Sequence, residues 1–315
     1  MEFKNLAQLT EYFADKQTCI DFLTRLRWDG HITCTFCGND KVYELKGANP
    51  RFKCAKCRKQ FSAIKGTIFE NSPIPLQKWF MAVYILTAHK KGISSVQLGT
   101  DLGVTQKTAW FMNHRIRFAL QVKSFDASAQ MEGPVQVDET FVGGKNKNRH
   151  ANKKVKESQG RSVKDKTPVV GLTDGAGKVY TQVVPNTQAK TLKPIIEKMV
   201  REGEIVVTDE WQAYKELRKN FQHIVINHKE GQYVLNSYST NRIEGYWSLL
   251  KRGIFGIYHY VSAKHLHRYC DEFSFRYNSR EAHVMERFEQ SIQSVEGRLT
   301  YKDLIKNEDE QPLPF

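Results

Sequence analysis

Three acidic residues lie in or next to predicted strands and on a predicted helix, so that their carboxylates could meet at one site. Asp138 lies within a run of β-branched residues, Asp209 directly follows a second such run, and Glu244 lies on an amphipathic stretch. A charge in the middle of a strand is costly unless a cation neutralises it. Any one of these acids is equally compatible with an ordinary salt bridge, but three carboxylates from three elements could converge to hold two divalent ions. Two such ions activate an attacking oxygen and stabilise the leaving oxygen.

Two residues are candidates for the third metal ligand, because Asn241 lies one helical turn before Glu244. Either side chain could reach a metal. Glu244 is favoured because it carries the negative charge that two closely spaced divalent ions need, whereas Asn241 offers a neutral amide oxygen or caps the helix. Lys251 lies two turns beyond Glu244 on the same face, where its ammonium could contact a phosphate beside the ions or simply be exposed.

Four of the six cysteines form two Cys-x-x-Cys pairs separated by sixteen residues: Cys34, Cys37, Cys54 and Cys57. This spacing lets two tight turns present four thiolates tetrahedrally to one zinc ion. Because four protein ligands leave no position open for a substrate water, the zinc is expected to be structural. The remaining cysteines, Cys19 and Cys270, are expected to be ordinary buried thiols.

The charge balance favours a polyanionic partner. Lys and Arg total 48 against 34 acidic residues, which gives a formal net charge of +14. Nucleic acid is the first candidate, since the longest apolar stretch, Trp79–Ala88, is shorter than a membrane span. The first residues lack the apolar core of a secretory signal, so a cytoplasmic protein without membrane contact is expected.

A helix-turn-helix is predicted next. A serine pair at 94 and 95 can cap a first helix, Gly103 supplies the turn, and Thr105 can cap a second helix, Gln106–Arg117. Gln106 and Lys107 lie near the start of the second helix, where side chains of such motifs read bases. The residues expected to face DNA are Gln106, Lys107, Arg115 and Arg117. A helical hairpin with a solvated basic face is the alternative.

The segment Lys145–Lys166 holds nine Lys and Arg residues against Glu157 and Asp165. It could neutralise phosphates, with Lys145 as a DNA contact, or be a solvated, disordered loop in the free protein.

These features sit in an α+β, multidomain chain. The predicted divisions are 1–70 (N-terminal helix and zinc ribbon), 71–122 (helix-turn-helix), a connection near 122–134, 135–285 (catalytic domain) and 286–315 (C-terminal tail). In the catalytic half, strands are predicted at 135–142, 168–173, 179–184, 204–208 and 223–227. Helices are predicted at 188–202, 211–219, 241–252 and 264–278, so a mixed sheet with flanking helices is expected.

The chain resembles bacterial insertion-sequence DDE transposases with an N-terminal zinc ribbon. Three ordered blocks carry the resemblance: Asp138–Lys145, Asp209–Tyr214 and Asn241–Arg252. Arg27-Trp28 and the segment Tyr258–Ser262 add to it. The resemblance implies an RNase H-like, integrase-type fold, Mg²⁺ or Mn²⁺ as cofactor, and catalytic roles for Asp138, Asp209, Glu244 and Lys251. It also implies terminal repeats and target DNA as double-stranded substrates, DNA contact by the basic residues of the blocks, Lys145 and Arg252 among them, and a homodimer or larger assembly.

The leading hypothesis is therefore a bacterial, nucleoid-associated DNA transposase that cleaves a phosphodiester at the element's end and transfers the freed 3′-hydroxyl to target DNA. One alternative is a non-catalytic DNA-binding regulator, against which the presence of all three acids counts. The other is a metal-dependent nuclease that cuts DNA without joining it.

Overall fold

The computed structural model describes residues 3–306 apart from 46, 48–50, 122–129, 144–149 and 159–161. The chain folds as two units: unit 1 contains Met1–Leu120 with Glu281–Phe315, and unit 2 contains Gln121–Arg280. Most of the predicted connection near 122–134 lies outside the described residues, as do Lys145 and the chain end from 307. Within the described part, no helix is long and apolar enough to cross a bilayer.

Three helices form the base of unit 1: α1 (Leu6–Tyr12), α2 (Lys16–Trp28) and α3 (Leu76–Ala88). The predicted N-terminal helical segment is thus two helices, because the carboxylate of Asp15 accepts from the amide of Thr18 and begins α2. Phenylalanine rings join the helices edge to face. Phe13 and Phe80 lie 4.8 Å apart, and Phe80 and Phe288 lie 5.7 Å apart.

A three-stranded antiparallel sheet carries the cysteine pairs. Its strands, in spatial order, are β1 (Val42–Leu45), β2 (Arg51–Cys54) and β3 (Gln60–Phe61). Phe52 and Phe61 are buried between the cysteines, and the ring of Trp28 lies 5.7 Å from that of Phe52. This sheet is the expected zinc-ribbon fold.

Two helices follow α3 in unit 1: α4 (Ser95–Leu102) and α5 (Gln106–Gln121). The hydroxyl of Ser94 accepts from the amide of Gln97, and Gly103 ends α4 with φ 58°, a left-handed conformation that glycine adopts readily. The hydroxyl of Thr105 accepts from the amide of Thr108 at the start of α5. The two helices and their turn lie where the helix-turn-helix is predicted.

The segment predicted as a C-terminal tail from 286 is folded over its described part. It forms α9 (Val284–Gln293) and α10 (Tyr301–Ile305) within unit 1. Phe288 and Ile292 are fully buried, and the amide of Ile68 donates to the carbonyl of Val295. The apolar spacing of α9 therefore provides a face that packs against α3.

Unit 2 contains a five-stranded mixed sheet in the order β6-β5-β4-β7-β8. The strands are β4 (Val135–Gly143), β5 (Lys166–Thr173), β6 (Val179–Val183), β7 (Ile205–Asp209) and β8 (Gln222–Ile226). β5 runs antiparallel to β4 and β6, whereas β7 runs parallel to β4 and β8. The strands agree with the predicted ones, and together they form the mixed sheet with flanking helices that the sequence predicts.

Helices cover both faces of this sheet. One face packs against α6 (Ala189–Met199) and a 3-10 helix (Gln212–Lys219). The other packs against α7 (Asn241–Gly253), a π-helical turn (Ile254–Tyr258) and α8 (Ala263–Asn278). Because side chains alternate along a strand, each residue of β4 faces one helical layer or the other.

Candidate active site

Asp138 and Asp209 are carried by two neighbouring strands of the sheet, β4 and β7. β4 and β7 are parallel, with Gln136 opposite Val207. By strand alternation, Asp138 shares the face of Gln136 and Asp209 shares the face of Val207, so both acids face the same side of the sheet. The next residue of β4, Glu139, is buried on the opposite face, where it lies near Tyr214. Because successive side chains of β4 point to opposite faces, Asp138 lies on the face covered by α7 and Glu139 does not.

Helix α7 crosses this face and is tied directly to Asp138. The indole Nε1 of Trp247 donates to Oδ2 of Asp138 at 3.0 Å. The residue opposite Asp138 on β5 is Gly171, and a Cβ there would lie 2.5 Å from an atom of the Trp247 ring. The absence of a side chain at this position is what lets the indole lie against the sheet and reach the carboxylate.

Glu244 lies one helical turn before Trp247 and points into a small polar cluster. Its Oε1 accepts from the hydroxyl of Thr240 at 2.6 Å and lies 3.7 Å from Nε2 of His228. The same His228 nitrogen lies 3.2 Å from the Thr240 hydroxyl. Asn241 is the exposed first residue of α7, and the N-cap position belongs to Thr240, so Asn241 is not the helix cap.

Asp138 responds to its burial and to the charges of the other two acids. Burial and, to a smaller extent, the negative charges of Asp209 and Glu244 raise the pKa of Asp138 to about 6, against the opposing hydrogen bonds from the Glu139 amide and Trp247. Burial lowers the pKa of Lys251, which the negative charge of Asp138 raises in part. Asp138 therefore interacts electrostatically with Asp209, Glu244 and Lys251.

This donor set suits hard divalent ions, since Mg²⁺ and Mn²⁺ prefer carboxylate oxygens. Among the described residues, only the cysteine group brings three or more ligand atoms all within 4.8 Å of one another. The carboxylate oxygens of Asp138, Asp209 and Glu244 are therefore not all within 4.8 Å of one another.

The four cysteine sulfurs of the ribbon are close enough for one metal ion. Sγ of Cys34 lies 3.6 Å from Sγ of Cys57, and Sγ of Cys37 lies 3.6 Å from Sγ of Cys54. Tetrahedral zinc with Zn–S bonds of about 2.3 Å requires sulfurs roughly 3.8 Å apart. The cysteine cluster therefore fits the zinc that the spacing of the pairs predicts.

Two of the expected DNA contacts on α5 are exposed. Gln106 donates through Nε2 to the hydroxyl of Ser95 at 2.8 Å, and Nζ of Lys107 lies 5.1 Å from the centre of the Tyr301 ring. Both stand at the start of the second helix of the pair. On α7, Arg252 is exposed as well, whereas Lys145 lies outside the described residues.

The expectation that Arg115 and Arg117 face DNA is wrong. Their exposed fractions are 4% and 1%. Arg115 donates through Nε to the carbonyl of Leu299 and through a terminal nitrogen to that of Glu70. The C-terminal segment of unit 1 lies against this face of α5, so the guanidinium of Arg115 serves packing within the unit.

Three residues around the acids were not predicted from the sequence: Gln136, His228 and Trp247. Gln136 accepts through Oε1 from the amides of Arg242 and Ile243, both at 3.1 Å. The strand period could have indicated Gln136, which shares a face with Asp138, and the helix period could have indicated Trp247, three residues after Glu244. No comparable signal marks His228.

Comparison with known proteins identifies the family of the chain. Residues 130–278 match the ISXO2-like transposase domain, and residues 14–60 match the transposase zinc-ribbon domain. An uncharacterized transposase-like protein of Haemophilus influenzae is 36% identical over 105 residues, which cover 33% of this chain and 84% of that protein.

An uncharacterized protein in transposable element ISH50 of Halobacterium salinarum is 28% identical over 251 residues, 76% of this chain and 83% of its own length. A solved structure, a pre-cleavage Mos1 transpososome, covers 69% of this chain and 79% of that chain at 13% identity with a TM-score of 0.24. From the two matching domains and the Haemophilus relative, the chain belongs to the insertion-sequence DDE transposases with an N-terminal zinc ribbon.

Proposed function

We propose that the protein hydrolyses a phosphodiester bond at each end of its element and then joins the freed 3′-hydroxyl to target DNA. The observation that carries this proposal is that the charges of Asp209, Glu244 and Lys251 all interact with Asp138, whose carboxylate is held by the indole of Trp247. A partly buried acid whose pKa is raised by burial and by two further acids is stabilised in its charged form by cations, and a phosphodiester is a substrate that such cations activate.

In this proposal Asp138, Asp209 and Glu244 hold Mg²⁺ or Mn²⁺, which lower the pKa of the attacking oxygen and stabilise the leaving oxygen. Trp247 orients the carboxylate of Asp138, and Thr240 orients that of Glu244. Lys251 contacts the phosphate that reacts.

The two reactions follow from one arrangement of these residues. Attack by water on the phosphorus forms a P–O bond to the water oxygen and breaks the P–O3′ bond, which leaves a 3′-hydroxyl on the element and a 5′-phosphate on the flanking strand. Attack by that hydroxyl on a target phosphorus forms a new P–O bond and releases a target 3′-hydroxyl. The number of phosphodiester bonds is unchanged in the second step, which therefore needs no external energy source.

Unit 1 is proposed to recognise the terminal repeats. Its ribbon takes one structural zinc through the four cysteines, and the helix pair presents Gln106 and Lys107 to base edges. Arg252, Lys145 and the rest of the basic segment neutralise phosphates. Joining two ends calls for at least two sets of acids, so we propose that a homodimer or larger assembly forms on double-stranded DNA in the bacterial cytoplasm, at the nucleoid.

Incubating the purified chain with Mg²⁺, labelled DNA carrying the element's own ends and a target plasmid tests the proposal. We expect a cleaved product with a 3′-hydroxyl and a joined product, both absent with EDTA. Cleavage without joining would identify a nuclease. Sequence-specific binding without cleavage would identify a regulator, and either result contradicts the proposal.

A further inference from the structure

We propose that Gln136 is a positioning residue, which caps helix α7 from strand β4 and so sets the place of Glu244 relative to Asp138. This inference rests on the proposed function, because it concerns the same carboxylates.

The contacts of Gln136 are those of a helix cap. Its Oε1 accepts from the backbone amides of Arg242 and Ile243, each at 3.1 Å. These amides belong to the second and third residues of α7. Amides of a first turn have no partner within the helix, and the second and third are the ones that an N-cap side chain ordinarily satisfies.

Thr240, the residue at the N-cap position, does not cap the helix with its side chain. The hydroxyl of Thr240 makes no hydrogen bond to the first-turn amides and instead donates to Oε1 of Glu244 at 2.6 Å. Because Gln136 supplies the cap, Thr240 can hold the carboxylate. The first turn of α7 is thus capped by Gln136 from the sheet, and the hydroxyl of Thr240 is left to orient the carboxylate of Glu244.

Through this cap, strand β4 determines the positions of both Asp138 and Glu244. Gln136 and Asp138 lie two residues apart on the same face of β4, and Glu244 lies on the turn that Gln136 caps. Metal ligands must keep their distances within a few tenths of an ångström, whereas one residue of helical rise is about 1.5 Å. A small displacement of the start of α7 would therefore move Glu244 out of ligand range.

Hydrogen exchange in the free protein tests the cap itself. Gln136→Met keeps the length of the side chain but removes the acceptor. The matched control is Gln182→Met on β6, where Oε1 accepts from the hydroxyl of Tyr180. We expect exchange of the Arg242 and Ile243 amides to rise about fivefold in Gln136→Met only. Gln136→Glu retains an acceptor and should restore the protection.

Mn²⁺ binding, measured by electron paramagnetic resonance, tests the positioning role. We expect Gln136→Met to bind Mn²⁺ about tenfold more weakly and to cleave end-bearing DNA about tenfold more slowly, with unchanged DNA affinity. The control variant should match the wild type, and Gln136→Glu should regain most of the cleavage rate.

Two results would overturn the inference: unchanged amide exchange in Gln136→Met, or faster exchange with Mn²⁺ binding and cleavage at wild-type levels. A wild-type protein that binds Mn²⁺ but does not cleave DNA would count against the proposed function alone. The exchange and Mn²⁺-binding comparisons would still decide the role of Gln136.

Discussion

Trp247 and Asp138 are joined by a 3.0 Å hydrogen bond from the indole Nε1 to Oδ2 of the carboxylate. The bond connects the helix that carries Glu244 with the strand that carries Asp138. It exists because Gly171, opposite Asp138 on β5, presents no side chain to the ring. Two residues that are distant in sequence, Gly171 and Trp247, therefore hold the carboxylate of Asp138.

Gly171→Ala should disturb this arrangement, since its Cβ would lie 2.5 Å from the Trp247 ring. We expect unit 2 to lose roughly 1–3 kcal/mol of stability, as in overpacked cores, and cleavage to fall about tenfold. Denaturant unfolding and a cleavage assay well below the unfolding midpoint measure the two effects. Gly245→Ala on α7, where a Cβ meets no atom within 4 Å, is the control and should not reduce either quantity. Wild-type stability and cleavage in Gly171→Ala would contradict the packing argument.

The strands and the sites of the acids could be predicted from the sequence because they depend on local patterns. β-branched runs mark β4 and β7, and an acid within or just after such a run can face the same edge of a sheet as another. Gln136 could not be assigned a role in this way. Its partners are amides more than a hundred positions away, and only the folded sheet shows that they meet.

The ribbon should contain one zinc ion per chain. Cys54→Ser removes one of four thiolates, and we expect loss of the zinc, unfolding of the ribbon and weaker binding to the element's ends, because structural zinc supplies much of the folding energy of so small a sheet. Metal analysis by mass spectrometry measures the stoichiometry. Cys270→Ser, a buried thiol of unit 2, should retain the zinc. A wild-type protein free of zinc would overturn this assignment.

The start of α5 should discriminate between DNA sequences. Gln106→Ala or Lys107→Ala is expected to weaken binding to the terminal repeats by about 1–3 kcal/mol and binding to random DNA by less, if these exposed side chains read bases. Titrations of both DNAs at one salt concentration give the comparison. Equal losses on the two DNAs would leave only a phosphate contact.

Arg115→Ala should instead lower stability. Its guanidinium hydrogen bonds to the carbonyls of Leu299 and Glu70 are buried, and removing them should cost roughly 2–3 kcal/mol.

This role of Arg115 could not be predicted from the sequence, since a basic residue on an amphipathic helix faces water only if no other segment covers it. Here Tyr301 of α10 packs 5.5 Å from Phe111 of α5.

Asp271 on α8 should make unit 2 less stable as the pH rises. Burial raises its pKa to about 7, against the opposing charge of Arg268. An aspartate in the unfolded chain has a pKa near 3.9. Between about pH 4 and pH 7 the folded state therefore binds more protons than the unfolded state, and the free energy of unfolding falls as the pH rises. Asp271→Asn should stabilise unit 2 by roughly 1–3 kcal/mol at pH 8 and little at pH 4. Urea unfolding at both values measures this, with the exposed Glu202→Gln as control. An equal effect at the two pH values would contradict the raised pKa.

The central claim is that Asp138, Asp209 and Glu244 act together on phosphodiesters. Its most direct test is Mg²⁺-dependent cleavage of end-bearing DNA by the wild type, Asp138→Asn, Asp209→Asn, Glu244→Gln and Asn241→Ala, each checked for wild-type DNA affinity. We predict that each of the three acid variants loses at least about a thousandfold in rate, because each lacks a ligand charge, whereas Asn241→Ala keeps much of its activity. Wild-type cleavage by Asp138→Asn or Asp209→Asn would contradict the site, and an active Glu244→Gln beside an inactive Asn241→Ala would make Asn241 the third ligand.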